Sequence, residues 1–194
     1  MTKVQILILS SSHDKNSRSR ILAKLCKETL EAFGTSVKFI DLAKLNIPNF
    51  DNDTIYETQV YKDLHAATLE SQGIVMCSPV YNWGISAELK KYVEYVGSTP
   101  QDGSITGALF DKIITFVNAG GLPHSYTAFR ELATSLILDF KCIINPYNIY
   151  VHDEDWKDTE LVDDRIERIE KSMFVMNELC DLLSKRSYSS TWEI

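Results

Sequence analysis

The chain predicts a doubly wound α/β fold, a five-stranded parallel sheet with helices on both faces. Three observations support this. Apolar runs of strand length alternate with helical faces five times along the sequence. The first run, Val4 to Leu9, is apolar apart from Gln5, as a strand buried on both faces requires. The two loops richest in ligand-type residues follow the first and third runs, which suits strands lying side by side where the winding reverses.

Each element carries its own signal. Ser17 can cap a helix with Leu22, Leu25, Cys26, Thr29 and Phe33 on one face, and Gly34 stops it. Val37, Phe39 and Ile40 form a second strand ending at Asp41, and Val60, Leu64 and Ala67 mark a second helix. Gly73 to Ser78 is the third strand. The helix after it keeps Leu89, Tyr92, Val93 and Val96 at helical spacing. Lys112 to Asn118 is the fourth strand, and Phe129, Leu132, Ala133, Leu136 and Ile137 give a fourth helical face. A fifth strand lies within Phe140 to Val151, bent or ended by Pro146. The last helix spans roughly Glu160 to Ser184. Its heptad-like seam (Val162, Ile166, Ile169, Met173, Met176, Cys180, Leu183) fits packing on its own sheet or on another helix. Residues 185–194 read as a loose polar tail.

No repeat, linker or composition shift divides the 194 residues, so one domain over 1–194 is expected. A net charge of −7 without a basic stripe argues against nucleic acid as a partner. No apolar run approaches a membrane span, and the N-terminus lacks a signal-peptide pattern. Cys26, Cys77, Cys142 and Cys180 are widely spaced in apolar segments, which fits buried reduced thiols and a cytoplasmic setting. The four histidines share no metal-ligand spacing, so no metal site is expected.

The loops carry the chemistry. After the first strand, Ser10 to Ser17 brings hydroxyls, amides and a helix N-terminus together, which favours an anion; Ser10, Ser12, Asn16 and Ser17 are its candidate contacts, with charge from Lys15 and Arg18. A plain capped helix explains the loop equally well. After the third strand comes Pro79-Val80-Tyr81-Asn82-Trp83-Gly84. Its aromatics can edge a planar ring and its backbone can bond the ring's polar edge, although rim packing is an alternative. After the fourth strand, Asn118-Ala119-Gly120-Gly121 permits close backbone approach. His124 reads as a cap or a solvent-facing residue rather than a proton donor, and no catalytic acid–base residue is nominated.

These segments resemble the NADPH-dependent FMN reductase family, which includes quinone and azo reductases. Pro79-Val80-Tyr81-Asn82, followed by a helix with Leu89-Lys90, resembles its ring-binding loop. Ser10, Ser12 and Ser17 match its phosphate loop, and the Gly-rich segment matches a third flavin contact. Five positions depart from the family's pattern: Ser11 for Gly, Asp14 for Arg, Ser86 for Pro, Ala87 for Gly and Lys91 for Asn. The resemblance implies a flavodoxin-like sheet of order 2-1-3-4-5, which the absence of Gly-x-Gly-x-x-Gly also favours. It implies bound FMN, reduced by NADPH or NADH and reoxidised by a small-molecule electron acceptor such as a quinone, azo compound, metal oxyanion or free flavin. It further implies a homodimer or dimer of dimers. Tyr95, lying off the apolar stripe of its helix, reads as an exposed interface aromatic. Two other functions suit the same fold: a non-enzymatic flavin-dependent sensor and a flavodoxin-type electron shuttle.

Overall fold

β1 (Gln5–Ser10) is flanked in parallel by β2 (Ser36–Asp41) and β3 (Gly73–Pro79), and β4 (Ile113–Ala119) lies beyond β3. The structure, a computed structural model, describes residues 4–100, 103 and 107–184; the tail expected over 185–194 falls outside them. β5 (Ile143–Ile144) and β6 (Ile149–Val151) both pair with β4, which gives the order β2-β1-β3-β4-β5. This is the flavodoxin-like topology.

Pro146 splits the fifth strand, as expected, because proline cannot donate to the ladder. Asparagines repair the gap. The Asn148 side chain accepts from the Phe116 amide at 2.8 Å, and Asn145 Nδ2 donates to Thr115 Oγ1 at 2.9 Å.

Alternation along each strand sends residues to two cores. Ile6, Ile8, Val75, Cys77 and Val117 pack under α1 (Arg18–Ala32) and α5 (Asp163–Leu183). Leu7, Leu9, Ile74, Met76, Ile114 and Phe116 pack under α2 (Gln59–Glu70), α3 (Ala87–Gly97) and α4 (Arg130–Phe140). The seam of α5 therefore faces its own sheet through Ile169, Met173, Met176 and Cys180, while Ile166 turns outward. All four cysteines are buried free thiols.

Four expectations need correction. Phe33 is exposed at the end of α1 rather than part of its buried face, and its ring meets Phe174 edge-on. Tyr95 is fully buried, because the segment after β2 folds over it: its hydroxyl donates to Pro48 O at 3.0 Å, and Phe50 meets its ring edge-on. The exposed aromatic that argued for a dimer through α3 is therefore absent. Ile137 is exposed on α4 rather than part of its buried face. Glu160 belongs not to the last helix but to an antiparallel hairpin, β7 (Trp156–Lys157) with β8 (Glu160–Leu161), and α5 starts at Asp163. Two-residue strands carry too little periodicity to be read from sequence.

Candidate functional site

Three loops meet at the carboxyl end of the sheet. The first leaves β1 and enters α1. Ser17 caps the helix as expected, its Oγ accepting from the Arg20 amide at 3.1 Å and sharing a bond with Ser19 Oγ at 3.0 Å. Ser12 Oγ accepts from the Asp14 amide, and Asp14 Oδ1 accepts from the Asn16 amide at 2.9 Å. The Asn16 amide is thus spent inside the loop, leaving Asn16 its side chain for a ligand. Asp14 is exposed yet lines the cavity at the loop's mouth. Arg18 also lines it, but its guanidinium pairs with Asp153 and lies over the Trp156 ring. The charge that Arg18 was expected to add to the loop is engaged by Asp153. The loop's attraction for an anion comes from the N-terminal amides and dipole of α1.

The second loop is a two-residue hairpin. Tyr81 and Gly84 exchange both amide–carbonyl bonds at 3.0 Å, and Asn82 (φ 48°) and Trp83 (φ 66°) sit in the left-handed region. A turn with two left-handed central residues matches the natural twist of a hairpin. Asn takes this conformation readily; Trp does so at a cost of about 1 kcal/mol. The Val80 amide donates to Ala119 O at 2.8 Å. The amides of Val80, Tyr81 and Gly84 are therefore committed, and those of Asn82 and Trp83 have no acceptor among the described residues. Among the amides of Val80–Gly84, these two are the ones left uncommitted. The Tyr81 and Trp83 side chains are more than half exposed.

The third loop follows β4. Gly120 donates to Val151 O at 3.0 Å, and a Cβ on it would fall 2.5 Å from Tyr150 Oη, so a larger residue would have to displace the Tyr150 ring. Tyr150 Oη donates to Leu122 O, and burial holds the phenol above its ordinary range. His124 is exposed and its ring stacks on Trp83 at 6.1 Å, tying the second loop to the third.

Ser12, Asn16, Ser17, Pro79, Val80, Tyr81, Ala119, Gly120 and Gly121 line one cavity of about 310 Å³ with Asp14, Arg18 and Asp153. Asn82, Trp83 and Gly84 stand outside its lining, as do Ser10 and Asn118. The last two are buried, and Ser10 Oγ and both Asn118 amide atoms have no partner among the described residues. Buried polar atoms are normally paired, so these two side chains leave hydrogen-bonding capacity unused beside the switch point. Helix amides for a phosphate, a cavity between three loops and exposed aromatics beside it fit FMN. A second, larger cavity of about 800 Å³ lies between α3 and α4 and touches the second loop only at its end, Gly84 to Ser86.

Sequence reasoning missed Arg20. Its guanidinium donates to Ser12 O, to Asp14 O at 2.6 Å and to Asp41 Oδ2 at 3.0 Å. It thereby holds two carbonyls of the first loop and ties that loop to the end of β2. An arginine in a helix's first turn reads as surface, and only the fold brings Asp41 to it.

The fold and this site define a flavin-type α/β protein, and comparison with known proteins gives the family. Residues 4–156 match the model of the NADPH-dependent FMN reductase family, so the chain belongs to that family of FMN-dependent oxidoreductases. It is 29% identical over 197 residues to an FMN-dependent NADH:quinone oxidoreductase of Beijerinckia indica, covering 87% of this chain and 96% of that protein. Among solved structures it resembles FerB, a flavoenzyme NAD(P)H:(acceptor) oxidoreductase from Paracoccus denitrificans (TM-score 0.74, 15% identity, 92% of this chain and 98% of that one). An oxidoreductase from Corynebacterium diphtheriae is similar (TM-score 0.72, 18% identity, 94% and 99%). At these identities the structural likeness speaks for the fold. No helix among the described residues is long and apolar enough to cross a membrane.

Proposed function

We propose that the protein binds FMN across the three loops and passes electrons from NADH or NADPH to a quinone-type small-molecule acceptor. The observation that carries this reading is the convergence of the three loops at the sheet's switch point, beside buried polar atoms without partners. In this reading the α1 amides and the Ser12 and Ser17 hydroxyls hold the phosphate. The Asn82 and Trp83 amides and the Gly120–Gly121 backbone hold the ring. FMN, when bound, supplies the hydride chemistry; the protein supplies binding, orientation and electrostatics. Tyr81 and Trp83 present exposed aromatic faces at the rim, where a nicotinamide or a quinone can pack in turn. The relative from Beijerinckia supports the quinone.

One shared pocket implies ping-pong kinetics. Steady-state oxidation of NADH and NADPH by the FMN-loaded protein, with benzoquinones and naphthoquinones as acceptors, should give parallel lines in double-reciprocal plots. Absence of oxidation of either nucleotide would favour the sensor or shuttle reading.

A further inference from the structure

Two of the departures from the family pattern touch each other. Ser11 belongs to the first loop and Ser86 ends the second, 75 residues later, and both are almost fully buried. Ser86 Oγ donates to Ser11 Oγ at 2.7 Å, and Ser11 Oγ donates to Cys77 O at 3.0 Å. The chain continues on the other side. The Ser86 amide donates to Ser78 Oγ at 2.9 Å, Ser78 Oγ donates to Pro79 O at 2.9 Å, and Ser86 Oγ caps α3 by accepting from the Leu89 amide at 3.3 Å. Each hydroxyl donates once and accepts at least once, so the network has a single consistent direction.

A second contact joins the same elements. His13 Nε2 of the first loop lies 3.3 Å from Glu88 Oε1 in the first turn of α3. Lys91 Nζ approaches the same oxygen at 3.5 Å and also donates to Ile47 O. The first loop and the start of α3 are therefore strapped at two points. The buried hydroxyl pair is the better defined, because water cannot compete for it.

We propose that the Ser11–Ser86 hydroxyl pair is a positioning link, setting the distance between the loop that takes the phosphate and the loop that takes the ring. It rests on the reading that these loops hold one flavin nucleotide. FMN spans both loops, and a fixed spacing lets its two ends bind without ordering the loops anew. Riboflavin lacks the phosphate and draws little from that spacing.

The test is a set of fluorescence titrations of FMN and riboflavin against wild type, Ser11→Ala, Ser86→Ala, the double variant and Ser86→Thr, with thermal unfolding of each. The ratio of riboflavin Kd to FMN Kd should fall about five- to tenfold in each single alanine variant. The double variant should fall no further, as for partners in one link. Ser86→Thr, which keeps the hydroxyl, should restore the ratio. Ser86→Ala also loses the α3 cap and should melt lower, and Ser11→Ala carries the test should that variant fail to fold. Equal losses for FMN and riboflavin, or additive losses in the double variant, would overturn the link while leaving the flavin site standing. A wild-type protein that binds neither flavin would overturn the site itself.

Discussion

The two ends of one sheet are built on opposite plans. At the amino end, polar groups close on one another. Lys112 Nζ donates to Leu69 O at 3.0 Å and to Ser71 O at 2.5 Å, ending α2; Ser71 Oγ donates to Ala67 O at 2.8 Å; and Gln72 Oε1 accepts from the Gln5 amide at 2.7 Å. Gly73 lies so close beneath α5 that a Cβ would meet Met176 Cε at 2.4 Å. At the carboxyl end, Ser10 and Asn118 are buried without partners, a tryptophan takes a left-handed conformation, and Tyr81 and Trp83 face solvent. The amino end spends its polar groups on stability. The carboxyl end also pairs many of its polar groups, through Arg20 and the Ser11–Ser86 network, but it leaves Ser10 and Asn118 unpaired, a cost to the fold of the kind functional sites carry.

The largest effect that would sharpen this contrast belongs to Lys112. Burial holds its ammonium down to about 8, from an ordinary 10.5. Below pH 8 both folded and unfolded chains carry the proton, and the burial penalty is present in full. Between pH 8 and 10.5 the folded chain sheds it first while the unfolded chain keeps it, so stability rises with pH. The gain is of order 3 kcal/mol. Cys142 and Cys180 act in the opposite sense: burial pushes their thiols to about 12, so folding loses stability above the ordinary thiol range. Urea unfolding of wild type against Lys112→Met from pH 7 to 10.5 isolates the lysine. The wild type should gain on the variant through that window, and a constant difference would contradict the assignment.

Next comes Asn118→Leu at the other end. Removing unpaired buried polar atoms at nearly constant shape should stabilise the apoprotein by about 1–2 kcal/mol, where most core changes destabilise. The same substitution should weaken FMN. Unfolding of the apoprotein and a flavin titration check the two halves. A less stable apoprotein would mean that Asn118 serves the fold.

The smallest effect on stability is expected for Trp83→Ala, under about 1 kcal/mol, because the side chain is mostly exposed and stacks, among the described residues, on the exposed His124. KM for nucleotide or quinone should rise more than FMN affinity falls. A large drop in melting temperature with unchanged kinetics would make Trp83 a structural residue.

Much of this was legible in the sequence, for local reasons. Ser17 capped its helix, Pro79 ended its strand at the second loop, Pro146 divided the fifth strand, and the continuous apolar runs marked strands buried on both faces. What was not legible depends on contacts far apart in the chain. Tyr95 lies off the apolar stripe of α3, yet the segment around Pro48 covers it. Arg20 reads as a surface residue until Asp41 and the carbonyls of Ser12 and Asp14 surround it. Ser11 and Ser86 each look like an isolated departure from the family pattern, and only the fold makes them one pair.

The central claim, that the first loop takes a phosphate and the second a flavin ring, is tested most directly by titrating the apoprotein with FMN and riboflavin and following flavin fluorescence. Charge-assisted hydrogen bonds from the α1 amides and Ser12 should make FMN bind at least about tenfold more tightly than riboflavin. Ser12→Ala should narrow that gap with little change in riboflavin affinity. Equal affinity for the two flavins, or no quenching by either, would contradict the claim.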